Sequence, residues 1–239
     1  MLEAPNAVDR YRFAHALVRD TLYEELSASR RVAFHRQVAQ AIETIYAANL
    51  DEHLPALAHH WARASAPAAD TAKAVAYAIR AGDRALTQLA HDEAVTYYTQ
   101  ALELLDASGA SRDDHRRVNL LIDLGEAQRR AGDPTHREIL LEAARLAEHS
   151  GDADALARAA LANYRGFWSA TGVVDTERVA VLESALTARG RDTLLRARLL
   201  SNLAAKRPSS RKPESSQISR RRTFLEGTSK RRGKSPRRR

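Results

Sequence analysis

Small residues recur in this chain at one fixed separation. One such pair would carry no information in an alanine-rich sequence, but three at the same spacing indicate a structural repeat. Where two helices cross closely, a side chain larger than a methyl group would hold their backbones apart. The spacing therefore predicts helix pairs with small residues at the contacts. The pairs are separated by 19 residues each time: Gly82 with Ala101, Gly125 with Ala144, and Gly166 with Ala185. A large apolar residue stands three positions before each alanine, as Tyr98, Leu141 and Leu182.

Apolar residues at three- and four-residue intervals run through most of the first 205 residues and predict an all-helical chain. Two N-terminal helices are expected, with Ser27 or Ser29 as the N-cap of the second, after a possible short strand at 11–13. Pro134 suits the first position of a helix, because its missing N–H costs little there. Three antiparallel pairs and an unpaired seventh helix follow: 72–90 with 92–106, 114–131 with 134–149, 153–168 with 175–189, and 192–205.

The charge of the chain is divided unevenly. Residues 206–239 hold 14 Lys and Arg against Glu214 and Glu226, a balance of +12, whereas residues 1–205 carry 24 basic and 28 acidic groups, a balance of −4. The basic tail has too few apolar residues to fold and is expected to be disordered. It would bind nucleic acid weakly, through charge alone. We favour the interpretation that the tail is out-of-frame translation, because the helical pattern stops abruptly after Ala205.

Several protein classes are excluded by composition. The chain contains no cysteine, which rules out disulfides and thiolate metal sites and makes a cytoplasmic location the expectation. Residues 1–10 do not resemble a secretory signal, and no stretch approaches the roughly 20 apolar residues of a membrane helix.

Residues 81–85 (AGDRA) and 93–104 (EAVTYYTQALEL) resemble the tetratricopeptide repeat, a helix-turn-helix unit with small residues at this interval. The units recur here after 43 and then 41 residues, longer than the ~34 of the ordinary repeat. Arg137 and Arg178 occupy the place that Ala94 holds in the first unit. The resemblance implies an α-solenoid of antiparallel helix pairs that binds a protein, a peptide or a small effector in a groove. Carried over from the family, the groove residues would be Asn119, Glu126, Arg129, Arg130 and Asn163.

A second resemblance concerns residues 11–27 (YRFAHALVRDTLYEELS), 30–35 (RRVAFH) and 57–64 (LAHHWARA). They are similar to the segment that closes the ATPase region of large bacterial signal-transducing (STAND-type) ATPases, which include LuxR-type transcriptional regulators. This implies a winged-helix-like remnant at 1–48, tetratricopeptide-like repeats at 49–205 and the tail at 206–239. The expected function is a non-catalytic, truncated interaction or effector-sensing module of such a regulator.

Two other functions stay open at this point. One is a DNA-associated regulator that acts through the basic tail, and the other is part of an ATP-dependent signalling enzyme. The second lacks support because the sequence has no G-x-x-x-x-G-K-[ST] phosphate loop, and we expect no catalytic site and no cofactor.

The remaining candidate residues have ordinary structural explanations. For His53, His59 and His60 we expect solvated or capping roles and no metal, because neither a cysteine nor a well-spaced carboxylate joins them. His35 is expected to pack in the core with one hydrogen bond, and Trp61 and Trp168 to be packing residues. Apolar faces on the first helix and on 192–205 would lack covering partners, so self-association is expected.

Overall fold

The computed structural model describes residues 2–3, 11–12, 16–64, 68–109, 115–163, 175–188 and 193–206. The chain divides into two units, Met1–Arg207 and Pro208–Arg239. Only the first contains described residues, so the predicted disorder of the tail is not tested. The predicted helical class is confirmed, and the described strands are limited to β1 (Leu2–Glu3) and β2 (Tyr11–Arg12). These two pair antiparallel, with Leu2 opposite Arg12.

The described helices begin and end as follows: α1 (Ala16–Glu24), α2 (Ala28–Ile45), a 3-10 helix (Leu50–His53), α3 (Leu54–Ala64), α4 (Ala68–Thr87), α5 (His91–Ala107), α6 (His115–Ala131), α7 (His136–His149), α8 (Ala153–Ala162), α9 (Thr176–Ala188) and α10 (Thr193–Lys206). Five predicted helices agree with these bounds within two residues at both ends. Ser27 is the N-cap of α2, as predicted, because its side chain accepts a hydrogen bond from the backbone N–H of Arg30.

Three predicted helix ends are wrong by more than two residues, namely the start of α4, its end at Thr87 instead of 90, and the end of α8. Helix α4 begins at Ala68 instead of 72, because residues 68–71 continue its helical pattern. Helix α8 ends at Ala162, short of the predicted 168, and residues 164–168 lie outside the described part. Pro134 lies in a turn rather than in α7, because the Asp133 carboxylate accepts hydrogen bonds from both the backbone N–H and the hydroxyl of Thr135. That turn delays the start of the helix.

Helices α4, α6 and α7 end in the same way. In each, an N–H two or three residues past the helix reaches back to a carbonyl in its last turn, as in Asp133 N–H to Gln128 O at 2.9 Å. The residue before that N–H must adopt a left-handed conformation, which Gly132 does at φ 81°. Leu89 takes this position after α4 at φ 61°, where its Cβ makes the conformation unfavourable. The break predicted around Ala90 is therefore real, although no glycine marks it.

Successive helices pack against one another. From α2 to α10 each helix contacts the next along the chain, and α6 also contacts α8. The buried side chains form three clusters, the first joining α2, α3 and α4, the second α3 to α6 and the third α6 to α10. Ala39 of α2 belongs to the same cluster as Trp61 of α3, so the packing is continuous across residue 48. Within the described ranges, none of the helices is both long and apolar enough to cross a membrane.

Gly82 and Gly125 lie at close helix contacts. A Cβ on Gly82 would stand 2.6 Å from Cε1 of Tyr98, and one on Gly125 would stand 2.5 Å from Cγ of Leu140. The second contact corrects the predicted pattern, in which Leu141 held the place of Tyr98. Ala101, Ala144 and Ala185 are buried, whereas Gly166 lies outside the described residues. The reason given for these two glycines, that a side chain there would separate the helices, is confirmed.

A single carboxylate joins α2, α3 and α4. Glu43 accepts hydrogen bonds from Trp61 Nε1 at 3.1 Å, Tyr77 Oη at 2.8 Å and Lys73 Nζ at 3.0 Å. The ammonium of Lys73 also lies 4.4 Å from the centre of the Trp61 ring. Trp61 is therefore a packing residue with its N–H satisfied, as predicted, while Trp168 is outside the described part.

Candidate functional site

Four polar residues of α6 follow helical spacing and share one face: Asn119, Asp123, Glu126 and Arg130. Arg158 of α8 crosses to this face. Its guanidinium donates to Asn119 Oδ1 at 2.7 Å and to Asp123 Oδ1 at 3.2 Å. Glu126 and Arg130 form an ion pair one turn apart.

Helix α4 adds a further carboxylate on the same side. Asp83 accepts a 2.7 Å hydrogen bond from the hydroxyl of Tyr98, the fully buried tyrosine that fills the contact at Gly82. The carboxylates of Asp83, Asp123 and Glu126 all lie near enough to that hydroxyl to raise the pKa of Tyr98, although burial is the larger cause. We name these three carboxylates, with Arg130 and Arg158 beside them, the acidic face.

Burial and two neighbouring carboxylates act on Asp123 of the acidic face. The pKa of Asp123 is raised to about 6, chiefly by burial; Arg158 lowers it, and the nearby carboxylates of Asp83 and Glu126 contribute to the rise. A carboxyl fully neutralised by neighbouring cations would have a pKa near or below its ordinary value. Because the pKa of Asp123 remains raised, the arginines do not fully compensate its desolvation. A further cation at this face would stabilise the ionised carboxylate.

The predicted groove residues separate into two groups. Asn119, Glu126 and Arg130 lie on the acidic face. Arg129 is half-buried, and its Nε finds no hydrogen-bond partner among the described residues. Asn163 is 5 % exposed and forms the C-cap of α8, so it offers little surface to a ligand.

Sequence reasoning overlooked three members of the acidic face. The predicted groove residues included Asn119, Glu126 and Arg130 but not Asp83, Asp123 or Arg158. Asp123 could have been found from its spacing to Asn119 and Glu126. Asp83 and Arg158 reach the face from other helices, and their places follow only from the way α4 and α8 pack against their neighbours.

The candidate histidines His35, His53, His59 and His60 lie elsewhere, in α2, the 3-10 helix and α3. His53 stacks on the ring of Tyr46, with 3.7 Å between the ring centres. His59 and His60 of α3 adjoin His35 of α2, so the three imidazoles form one group. His35 is buried and hydrogen-bonded, as predicted, but its contact with the other two was not foreseen. His15, the other N-terminal histidine, is outside the described part.

The expected exposure of apolar side chains is confirmed at both ends of the described helices. Leu17 of α1 is 79 % exposed and Leu194 of α10 is 68 % exposed. Self-association through them stays a prediction.

Comparison with known proteins finds no family model, no curated protein and no solved structure that matches this chain. The function therefore has to be argued from the geometry of its own side chains.

Proposed function

We propose that this chain is a non-catalytic interaction module whose helices stack as tetratricopeptide-like antiparallel pairs. The order in which α4 to α9 contact one another, each with its neighbour along the chain, supports such a stack. The tight contacts at Gly82 and Gly125 support it as well, since they lie in the first helices of two successive pairs. Such a stack presents its first helices as a continuous side surface, and binding there requires no chemical change in the partner.

The observation that carries the proposal is the composition of the acidic face. It is built from α4, α6 and α8, the first helices of the proposed pairs. Its carboxylates lie close together, and the raised pKa of Asp123 indicates that the cations beside it are insufficient. The partner with the matching chemistry is a peptide or protein segment that carries Lys or Arg side chains. Each such cation would replace a repulsion between carboxylates by an attraction.

The resemblance of residues 11–35 and 57–64 to STAND-type, LuxR-like regulators gives this module a proposed setting. In that setting it is a regulatory part that receives a signal by binding a protein in the cytoplasm. The winged-helix-like remnant belongs to the same proposal.

The test measures binding of fluorescently labelled peptides to the full chain by anisotropy. One peptide is rich in Lys and Arg, and a second, of equal length, has Glu in their place. The basic peptide should bind at low salt and lose affinity as salt screens the acidic face, while the Glu peptide should not bind. The double variant Asp123→Asn/Glu126→Gln should weaken binding about fivefold, since each surface charge contributes roughly 0.2–1 kcal/mol.

Two further variants make the test specific. Arg130→Gln removes a cation that neutralises Glu126 and should strengthen binding of the basic peptide. Glu103→Gln removes one carboxylate on α5, outside the acidic face, and should leave affinity unchanged. Equal affinity of the double variant and the wild type, or equal binding of the Glu peptide, would contradict the proposal.

A further inference from the structure

Three imidazoles from two helices meet at the contact between α2 and α3. Each of His35, His59 and His60 offers a ring nitrogen, and the three nitrogens lie within 4.8 Å of one another. The closest pair is Nδ1 of His35 and Nδ1 of His60, at 2.8 Å. His35 is 9 % exposed, His60 is half-buried and His59 is exposed, so the group runs from the interior to the surface.

The group opens into a pocket of about 350 Å³ beside α1. Its lining consists of Arg19, Asp20, Tyr23, His35, His59 and Arg63. An ion can therefore reach the ring nitrogens from solvent. Asp20 is the one carboxylate in this lining, and it pairs with the neighbouring Arg19.

Tyr23 holds the innermost ring in place. Its hydroxyl lies 2.9 Å from Nε2 of His35, which leaves Nδ1 of His35 directed at His60. Histidines that bind metal ions in proteins are usually fixed in this manner, by a hydrogen bond from the nitrogen that does not coordinate. In a bound state Nε2–H of His35 would donate to the Tyr23 oxygen.

The charge states of the rings suit a metal ion. Burial lowers the pKa of His35 to about 4, and it also lowers the pKa of His59 and His60, with Arg63 adding to the effect in all three. Burial and the Arg63 guanidinium both favour the neutral ring, which is the form that coordinates.

The spacing fits a tetrahedral ion after a small movement. Zn²⁺ binds imidazole nitrogen at about 2.0–2.1 Å, which places two ligand nitrogens about 3.3 Å apart in tetrahedral geometry. The Nδ1 atoms of His35 and His60, which are 2.8 Å apart, need to separate slightly. The ring nitrogen of His59 lies within 4.8 Å of them and needs to come closer. Three nitrogen ligands leave a fourth position for water or for the Asp20 carboxylate.

We propose that His35, His59 and His60 form a binding site for a divalent transition-metal ion of the zinc class. The site joins α2 to α3 and faces the pocket beside α1. It stands apart from the acidic face in both residues and helices, so either proposal can fail without the other.

Arg63 makes the proposal sharply testable. Its guanidinium lies 2.9 Å from Nδ1 of His59 and adds a positive charge beside the three rings. A bound metal ion would have to displace this contact or tolerate the charge. Removal of the guanidinium should therefore strengthen metal binding, whereas it would have no such effect on a group of histidines that only packs.

The experiment titrates the purified full chain, freed of metal by a chelator, with Zn²⁺ in competition with a chromophoric zinc chelator. Because the chain has no cysteine, thiolates cannot contribute to the binding. The wild type should bind one equivalent, and Co²⁺ in its place should give the visible absorption of a tetrahedral site. His60→Gln and His59→Gln should each weaken binding by about 100-fold or more, and Tyr23→Phe by about tenfold. Arg63→Ala should strengthen it.

His53→Gln provides the matched control, because this histidine stacks on Tyr46 and lies outside the group. It should bind Zn²⁺ as the wild type does, and circular dichroism of every variant checks that the helices are retained. Failure of the wild type to bind one equivalent would overturn the proposal. Equal losses for His60→Gln and His53→Gln would overturn it too, as would weaker binding by Arg63→Ala.

Discussion

Replacement of Gly82 by alanine should destabilise the protein, although this substitution ordinarily stabilises a helix. In a helix interior alanine is more favourable than glycine by roughly 0.5–1 kcal/mol. Here the new Cβ would stand 2.6 Å from Cε1 of Tyr98 and 2.9 Å from both Cδ1 and Cζ. The ring is fully buried and its hydroxyl is bonded to Asp83, so it has little freedom to move. Overpacking of this kind costs about 1–3 kcal/mol, which leaves a net loss of about 1 kcal/mol within a range of roughly 0–2.5 kcal/mol.

The assay is urea unfolding followed by circular dichroism, with a double-mutant cycle to identify the cause. Tyr98→Leu removes the ring atoms that the new methyl group would meet. If the clash is the cause, Gly82→Ala should cost at least about 1 kcal/mol less in the Tyr98→Leu background than in the wild type. A Gly82→Ala variant that is more stable than the wild type by the helix-propensity difference alone would refute the reasoning. Additive effects of the two substitutions would refute it as well.

Three further substitutions test other parts of the structure by the same unfolding assay. Glu43→Ala should cost about 2–3 kcal/mol, because it leaves the N–H of Trp61 and the hydroxyl of Tyr77 without their shared acceptor; a loss within error would contradict the role of this network. Asp152→Ala should lower the free energy of unfolding by about 1 kcal/mol at pH 7, because the Asp152 carboxylate caps α8. The pKa of Asp152 is lowered in the folded protein, so the stabilisation by this cap should disappear as pH falls through the folded-state pKa. Asp123→Asn should act in the opposite direction. The folded-state pKa of Asp123, about 6, lies above the ordinary 3.8, so the wild type loses stability as pH rises through that interval. The variant should therefore be more stable than the wild type at pH 7 and should lack this pH dependence.

Helix positions followed from the sequence because their causes are local. Apolar spacing located α5 and α6 within two residues at each end, and Gly132 marked the end of α6 through a conformation that glycine adopts without cost. The errors arose where a local competitor acted. The Asp133 side chain held Pro134 in a turn, and Leu89 took a left-handed conformation that its residue type disfavours.

Side-chain groups drawn from several helices could not be predicted in the same way. His35 meets His60 because α2 and α3 pack side by side, and no spacing in the sequence encodes which faces of the two helices meet. Arg158 likewise reaches α6 from α8. Asn119, Glu126 and Arg130 lie on a single helix and were among the predicted groove residues, whereas Asp123 was not.

The close contact at Gly82 and the acidic face are parts of one arrangement. The absent side chain at Gly82 leaves room for the ring of Tyr98, and the ring position brings its hydroxyl to Asp83, one residue further along α4. The same hydroxyl lies within the electrostatic influence of Asp123 and Glu126 on α6. A residue larger than glycine would displace the ring and, with it, the hydrogen bond that orients the Asp83 carboxylate. The small residue that lets two helices approach thus also places the hydroxyl that bonds Asp83, so Gly82→Ala should weaken binding of a basic peptide although it removes no charge.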